Sequence, residues 1–390
     1  MGASALLIAE LSMNRIADTG RPGVGLLDMQ RKFLGKNQAK LGAGAYFFLH
    51  YAVMVAYIAQ GGANLGMAID SLNFGDNLHV SLPSGIHQML FTGVVGSTIY
   101  FCKPSAMEKL NNVLVLGVLA SFVGLVGLGL PTVDFSALIA PENQDPTTVI
   151  NTFPIIFLSL VYHNVVPTVV TQLEGDKNKI RTAIIGGSFV PLLMFLTWNA
   201  VILGNVYGMP DVDVASGDFD PIALLQQSGA SNGGETVLSD LVSTFSGLAV
   251  ITSLIGFVYG VLDALTDLFN LPSEGPEYEK WKPALFGATL LPPLALSAAN
   301  PGVFLSALDY GGAFGVSTLF LVLPSLMVWK LRYEDKERKL ATLPLLPGGK
   351  ITLGGLWKVA GTLILEQGAD KLGILDWVSD RWVEVSGSLT

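Results

Sequence analysis

The chain alternates between long apolar runs and polar connections, and only every second connection carries lysine or arginine. A helix needs about 20 apolar residues to cross the hydrocarbon core of a bilayer. The runs that approach or meet this length are Leu41–Ala63, Ser84–Cys102, Asn112–Pro131, Val149–Thr171, Thr182–Tyr207, Asp240–Leu262, Pro283–Ala299 and Val303–Trp329. Because positive residues concentrate in connections that face the cytoplasm or its organellar equivalent, the alternation predicts a polytopic membrane protein.

Both ends of the chain depart from this pattern. Residues 1–13 begin with an apolar run of about half a span, which predicts a partial helix, and residues 351–365 predict a marginal last helix interrupted by Lys358. Residues 366–390 are expected to form a tail, either an interfacial helix or a loosely ordered segment. Residues 1–390 as a whole are predicted to be one transmembrane domain, with its main helices within 41–329.

Composition excludes several classes of protein. The 390 residues are 51% hydrophobic and 14% charged, whereas roughly 25% of residues are charged in soluble proteins. The net charge of -9 argues against nucleic-acid binding. The sequence contains no phosphate-binding loop, dinucleotide fingerprint, nucleophile elbow or paired thiolates, so we expect neither an enzyme nor a cofactor or metal site.

Polar residues gather in the middle of the run 149–171, where Tyr162, His163 and Asn164 follow one another. An ionisable residue at that depth is a functional-site hypothesis, because it needs a partner or a cavity. Pro167 removes a backbone donor and clashes with the carbonyl of residue 163, which predicts a kinked or unwound helix. Unwound backbone offers free amides and carbonyls to a ligand. A structural kink, with His163 bonded to a neighbouring helix, is the alternative.

Several segments of the chain carry a resemblance to a known family. They are Ala5–Glu10, Gly23–Leu27, Met29–Gly35, Tyr162–Arg181, Ala183–Gly187, Trp198–Ala200, Ala307–Gly312 and Leu321–Trp329. Together they resemble the tyrosine-specific branch of the aromatic amino acid permease family, and most of all its plant and algal members. The resemblance implies the LeuT-type fold of the amino acid/polyamine transporter superfamily, an inverted repeat of five plus five helices that usually carries an eleventh.

Alignment through Ala5–Glu10 implies that the first helix of the family is absent. Residues 1–13 then correspond to part of helix two and residues 41–329 to helices three to ten. A truncated gene model or an alternative start is the expected cause. The fold class is therefore all-α and polytopic, a LeuT-type inverted-repeat bundle that is N-terminally truncated, with about nine or ten spans. Broken helices one and six hold the substrate in this fold, and the break at His163 corresponds to helix six.

The resemblance also implies a function. It points to secondary active transport of aromatic amino acids, with tyrosine the expected substrate, by alternating access and by symport with protons rather than sodium. The expected partners are the amino acid, the proton and the lipid bilayer. The alternative is a non-transporting membrane scaffold or sensor, or an inactive fragment, because helix one is missing. The expected location is a plastid envelope for a plant or algal chain and an inner or plasma membrane otherwise.

Candidate substrate-binding residues come from two places. The break supplies Tyr162, His163, Asn164, Val165 and Pro167. The resemblance adds Tyr46, Phe47 and Tyr51 as lining for an aromatic side chain, although helix packing or an interfacial aromatic belt is the other interpretation of each.

Candidate residues for proton coupling or gating are His163, Glu10, Asp263 and Asp267. Histidine is the side chain whose unperturbed pKa, about 6.5, lies closest to neutral pH. Glu10 precedes Arg15 and could reach the interface, or it could be buried. Asp263 and Asp267 look like an acidic pair of the family, with solvated helix ends as the alternative.

Two further features are expected to be structural. Ser243, Thr244 and Ser246 are interpreted as hydrogen-bonding contacts between helices more than as ion ligands. Gly311 and Gly312 predict a helix break, with Asp309 beside it in outer water.

Overall fold

The computed structural model describes residues 1–20, 25–71, 85–141, 144, 149–206, 236–272, 274–334 and 344–374. These residues form helices and no strand, which confirms the all-α class. The α-helices are α1 (Gly2–Thr19), α2 (Leu26–Leu34), α3 (Lys36–Ser71), α4 (Ile86–Phe101), α5 (Pro104–Gly129), α6 (Phe135–Ile139), α7 (Val149–Ser159), α8 (Val166–Gln172), α9 (Lys177–Val206), α10 (Thr236–Phe269), α11 (Pro276–Ala299), α12 (Phe304–Tyr310), α13 (Leu323–Trp329) and α14 (Gly349–Lys371).

Six stretches of the described chain are helical, long and apolar enough to cross a membrane. They are Lys36–Ile69, Pro104–Thr132, Thr152–Gln172, Lys177–Asn205, Asp240–Phe269 and Phe304–Glu334. This confirms an integral, multi-pass membrane protein. The inverted repeat and the count of nine or ten spans stay predictions.

The chain folds into two compact units, each discontinuous in sequence. The first unit comprises Met1–Leu49, Thr148–Leu192 and Asp309–Thr390. Within it α1 packs against α2, α8 and α13, while α7 and α14 pack against the segment that follows α12. Every residue of α1 from Ser4 to Asn14 is buried, so the polar side chains of this helix need partners inside the protein.

The second unit comprises His50–Thr147 and Leu193–Leu308. In it α5 packs along α10, and α4 packs along α11. The Leu248 side chain of α10 packs over Gly117 of α5, because a Cβ atom at Gly117 would lie 2.8 Å from Leu248 Cδ1. Small residues at such contacts let membrane helices pack without a gap.

The predicted break at Gly311 and Gly312 is wrong, because the chain stays helical there. It continues from α12 as a π-helix over Gly311–Val322, and a second π-helical turn, Lys330–Glu334, follows α13. A Cβ at position 312 would lie 2.0 Å from the carbonyl oxygen of Pro154 in α7. Gly312 therefore serves the close approach of two helices rather than the interruption of one.

The C-terminal helix is longer than the sequence predicts. Helix α14 contains the whole of 351–365 and extends to Lys371, and Lys358 lies within it without interrupting it. The end of the predicted tail, 375–390, lies outside the described residues. Much of the predicted lysine-free and arginine-free connections lies outside them as well.

Candidate substrate site

The candidate site is an interruption between α7 and α8. Helix α7 ends at Ser159, and α8 begins at Val166 with Pro167 in its first turn. Between them Tyr162 adopts φ -137° and ψ 13°, outside the helical region, and His163–Val165 form one 3-10 turn. Proline is accepted in a first turn, where its missing N–H would be unpaired in any helix. The predicted unwinding around His163 is therefore confirmed.

Backbone groups in the interruption are left without helical partners. The amide of Val165 donates to the carbonyl of Tyr162 at 3.1 Å, but within the described chain the amides of Tyr162, His163 and Asn164 find no backbone acceptor. Unpaired amides inside a membrane protein are costly unless they meet water, a side chain or a ligand. The segment can thus offer amide donors to an anionic group.

His163 lies at the centre of this segment and is only 1% exposed. Its Nε2 atom lies 2.7 Å from the hydroxyl of Ser4 in α1, and its ring centroid lies 4.8 Å from that of Phe320. The Ser4 hydroxyl also lies 2.9 Å from the carbonyl of Met1, and in the tautomer with the proton on Nε2 His163 donates to Ser4 while Ser4 donates to that carbonyl.

The other ring nitrogen of His163 is unsatisfied. Nδ1 is buried and has no hydrogen-bond partner among the residues that the structure describes. In the tautomer with the proton on Nε2, Nδ1 carries a free lone pair that can accept a hydrogen bond or a proton, and in the other tautomer it carries an unpaired N–H donor. A buried polar atom left unpaired in this way calls for an explanation, and a ligand or a transported proton supplies one.

The residues next to His163 in the sequence differ in their contacts and in their burial. The Tyr162 hydroxyl donates to Ser188 Oγ at 2.5 Å, and Ser188 donates to the carbonyl of Ile184 at 2.7 Å. Tyr162 is thereby tied to α9. Asn164 and Val165 are exposed, whereas Pro167 is buried. Substrate contact by each of these residues stays a prediction.

Glu10 lies on the same helix as Ser4, but its environment is different. It is 1% exposed, and its two carboxylate oxygens accept from Nε and Nη2 of Arg332 at 2.7 Å and 2.5 Å. The amide of Leu345 donates to the same carboxylate at 3.0 Å. Glu10 does not reach the interface. Arg15, its neighbour in sequence, pairs instead with Asp28 at 2.7 Å.

Sequence reasoning missed Arg332. In the sequence it is one of several lysines and arginines that follow the last long apolar run, yet its side chain is 4% exposed in the structure. The signal available was that a glutamate at the end of an apolar run needs a partner if it is buried. Arg15 is the nearest cation in the sequence, whereas the observed partner, Arg332, lies far along the chain.

The aromatic candidates lie in both units. In the first unit Tyr46 and Phe47 are half-buried, and their rings meet edge to face with centroids 6.1 Å apart. In the second unit the hydroxyl of Tyr51 donates to the carbonyl of Ala288 at 2.8 Å, which ties α3 to α11. The lining role of all three stays a prediction.

The remaining polar candidates belong to the second unit. Asp263 and Asp267 are both exposed near the end of α10, and their gating role stays a prediction. Ser246 accepts a hydrogen bond from Asn64 Nδ2 at 3.0 Å. That bond joins α3 to α10, as expected of a structural hydroxyl.

An interrupted helix within a membrane span is a common feature of substrate sites in membrane transporters. The chain belongs to the tryptophan/tyrosine permease family, which matches residues 1–364. This is a family of transmembrane permeases and not of enzymes, as the sequence predicts. The plant or algal type and the absence of the first helix stay predictions.

Curated relatives agree with this assignment. "Tyrosine-specific transport system 1" of Haemophilus influenzae is 30% identical over 355 residues, which are 90% of this chain and 81% of the relative. "Tyrosine-specific transport system 2" of the same organism is 29% identical over 84% of this chain and 77% of its own length. "Glutamine transporter 2" of Aliivibrio fischeri is 26% identical over 87% of this chain and 82% of its own length.

Proposed function

We propose that this permease is a secondary active transporter of aromatic amino acids, with tyrosine as its preferred substrate. Two of the relatives reported above are named as tyrosine-specific, and each is more similar to this chain than the glutamine transporter is. The observation that carries the proposal is the interruption around His163, which places unpaired amides and a buried imidazole within one span.

The interruption suits the charged end of an amino acid. The amides of Tyr162, His163 and Asn164 are donors for the substrate carboxylate, and the carbonyls that the interruption frees are acceptors for its ammonium group. Tyr46 and Phe47, in the same unit, are the proposed contacts for the aromatic ring. Tyr51 is proposed as a lining residue on the basis of the family resemblance alone.

Proton symport by alternating access is the proposed mechanism. His163 is the proposed carrier of the proton, because Nδ1 has a free lone pair and histidine titrates nearer neutral pH than other side chains do. Binding of the proton and the substrate at one interrupted helix couples the two, since each changes the hydrogen bonding available to the other. The proposed membrane is a plastid envelope for a plant or algal chain and an inner or plasma membrane otherwise.

Uptake of radiolabelled tyrosine into proteoliposomes tests the proposal. We expect accumulation when the lumen is made alkaline, competition by unlabelled tryptophan and phenylalanine, and weaker competition by glutamine and leucine. Uptake that a pH gradient does not drive would refute symport. Failure of the folded protein to take up or exchange any of these amino acids would refute transport and favour a scaffold or sensor.

A further inference from the structure

The second unit contains an apolar groove, away from the interruption at His163. The groove runs between α4 and α11 and has a volume of about 370 Å³, within the range of small-molecule sites. Its walls include Phe101 and Leu291, which are 80% and 63% exposed. Its lining from Thr92 to Phe101 covers about 14 Å of helix at 1.5 Å per residue.

Glycines create the space in this groove. A Cβ atom at Gly93 would meet nothing within 4 Å, and one at Gly287 would lie 3.7 Å from Leu291 Cδ1. Both glycines line the groove. The opening is shallow, extends along the helices and is lined almost entirely by apolar surface, which suits a hydrocarbon chain.

One end of the groove is polar. The Lys282 ammonium lies 4.8 Å from the ring centroid of Tyr100 and 3.4 Å from Glu279 Oε1. The Lys282 side chain is 19% exposed and the Glu279 side chain is 62% exposed. An ammonium group has three donors, so Lys282 can bind a further anion while it contacts Glu279.

The polar end has the features of a membrane interface. Tyr100 lines the groove there, and Trp281, which is 47% exposed, neighbours Lys282 in sequence. Tyrosine and tryptophan concentrate at the headgroup level of bilayers. Lys103 follows α4, and Lys280 and Lys282 lie near the start of α11, so the positive charges of both connections place this end on the cytoplasmic side.

We propose that this groove binds one molecule of phosphatidylethanolamine from the cytoplasmic leaflet. One acyl chain lies between α4 and α11, the phosphate contacts the Lys282 ammonium, and the headgroup ammonium donates to the Glu279 carboxylate. One cation, the Lys282 ammonium, and one anion, the Glu279 carboxylate, complement the phosphate and the ammonium of a zwitterionic headgroup. A phosphatidylglycerol lacks the ammonium, and a phosphatidylcholine cannot donate a hydrogen bond from its quaternary nitrogen.

Native mass spectrometry of the purified, delipidated full chain tests the site, with the three phospholipids supplied separately and with identical acyl chains. We expect one retained phosphatidylethanolamine, bound about fivefold more tightly than either other lipid, since one charged contact near the membrane surface is worth about 1 kcal/mol. Lys282→Gln should weaken phosphatidylethanolamine and phosphatidylglycerol alike. Glu279→Gln should abolish the preference for phosphatidylethanolamine over phosphatidylcholine.

Matched variants separate this site from bulk lipid. Gly93→Leu places a side chain in the groove from a position where a Cβ atom meets nothing within 4 Å and should abolish specific retention. Gly127→Leu, at a position on α5 that is equally open to a Cβ atom, should leave retention unchanged. Lys109→Gln is the charge control. Equal retention of all three lipids, or full retention by Gly93→Leu, would overturn the proposal. If the wild type is found to dimerise, and Gly93→Leu abolishes the dimer while lipid binding is unchanged, a second copy of the chain occupies the groove and the proposal is overturned.

Discussion

Two buried polar clusters meet helix α1, one through Ser4 and the other through Glu10. In the Glu10 cluster both carboxylate oxygens accept from Arg332, and the amide of Leu345 adds a third donor. In the Ser4 cluster one nitrogen of His163 is paired and the other is not. Both clusters are equally buried, so burial alone does not distinguish them.

The difference lies in what each cluster leaves available. A buried ion pair whose donors and acceptors are satisfied holds its two elements in one arrangement, and removal of one partner exposes a buried charge. A partly satisfied network has an atom free for a ligand or a proton. We therefore propose that the Glu10 cluster stabilises the fold and that the His163 cluster takes part in transport.

The largest expected effect comes from breaking the Glu10 cluster on one side. Glu10→Leu or Arg332→Leu should each destabilise the protein by about 3–5 kcal/mol, because an uncompensated charge remains buried. The double substitution should recover much of this loss. Thermal unfolding in detergent measures the three variants. If the loss of stability in the double variant equalled the sum of the losses in the two single variants, the two side chains would not be stabilising the protein as a pair.

The second-largest loss of stability is expected at the contact between Gly312 and α7, the helix that leads into the interruption. Gly312→Ala would place a methyl group against the carbonyl of Pro154 and should cost about 1–3 kcal/mol by overpacking. Gly127→Ala, where a Cβ meets nothing within 4 Å, is the control. Thermal unfolding of both variants in detergent measures the difference. A Gly312→Ala protein as stable as the wild type would disprove the close approach.

Substitution of Ser4 should have a smaller effect on stability, and Ser12 on the same helix provides a matched control. Ser4→Ala removes the partner of His163 Nε2 and should cost about 1 kcal/mol. Ser12 is also fully buried on α1, but its hydroxyl has no partner within the described chain, so Ser12→Ala should be neutral or stabilising. Equal losses in the two variants, measured by thermal unfolding, would show that the contact with His163 contributes nothing.

The smallest effect is a pH dependence at the end of α14. The hydrogen bond to Asp309 raises the pKa of Lys371. The pair therefore stabilises the fold below the unfolded-state pKa of about 10.4, and this stability, below about 1 kcal/mol for a partly exposed pair, is lost as the pH rises through the folded-state pKa. The difference in unfolding temperature between the wild type and Lys371→Met should vanish above that pH. A difference that persists there would contradict the ion pair.

Local chemistry explains which features the sequence could predict. The interruption follows from Pro167 and from polar residues at mid-span, since both act within one helical turn. Glu10 was recognised as a candidate, yet its contact with Arg332 depends on the packing of two distant helices, which local patterns do not encode. The same limit applies to Gly312, where a glycine that allows close packing resembles a glycine that breaks a helix.

Counterflow and gradient-driven uptake by one variant provide the most direct test of the division between the two clusters. In proteoliposomes His163→Gln should lose accumulation of tyrosine driven by a pH gradient, retain exchange of labelled for unlabelled tyrosine, and unfold close to the wild-type temperature. Gradient-driven accumulation by His163→Gln at the wild-type level would contradict the assignment of proton coupling to the His163 cluster.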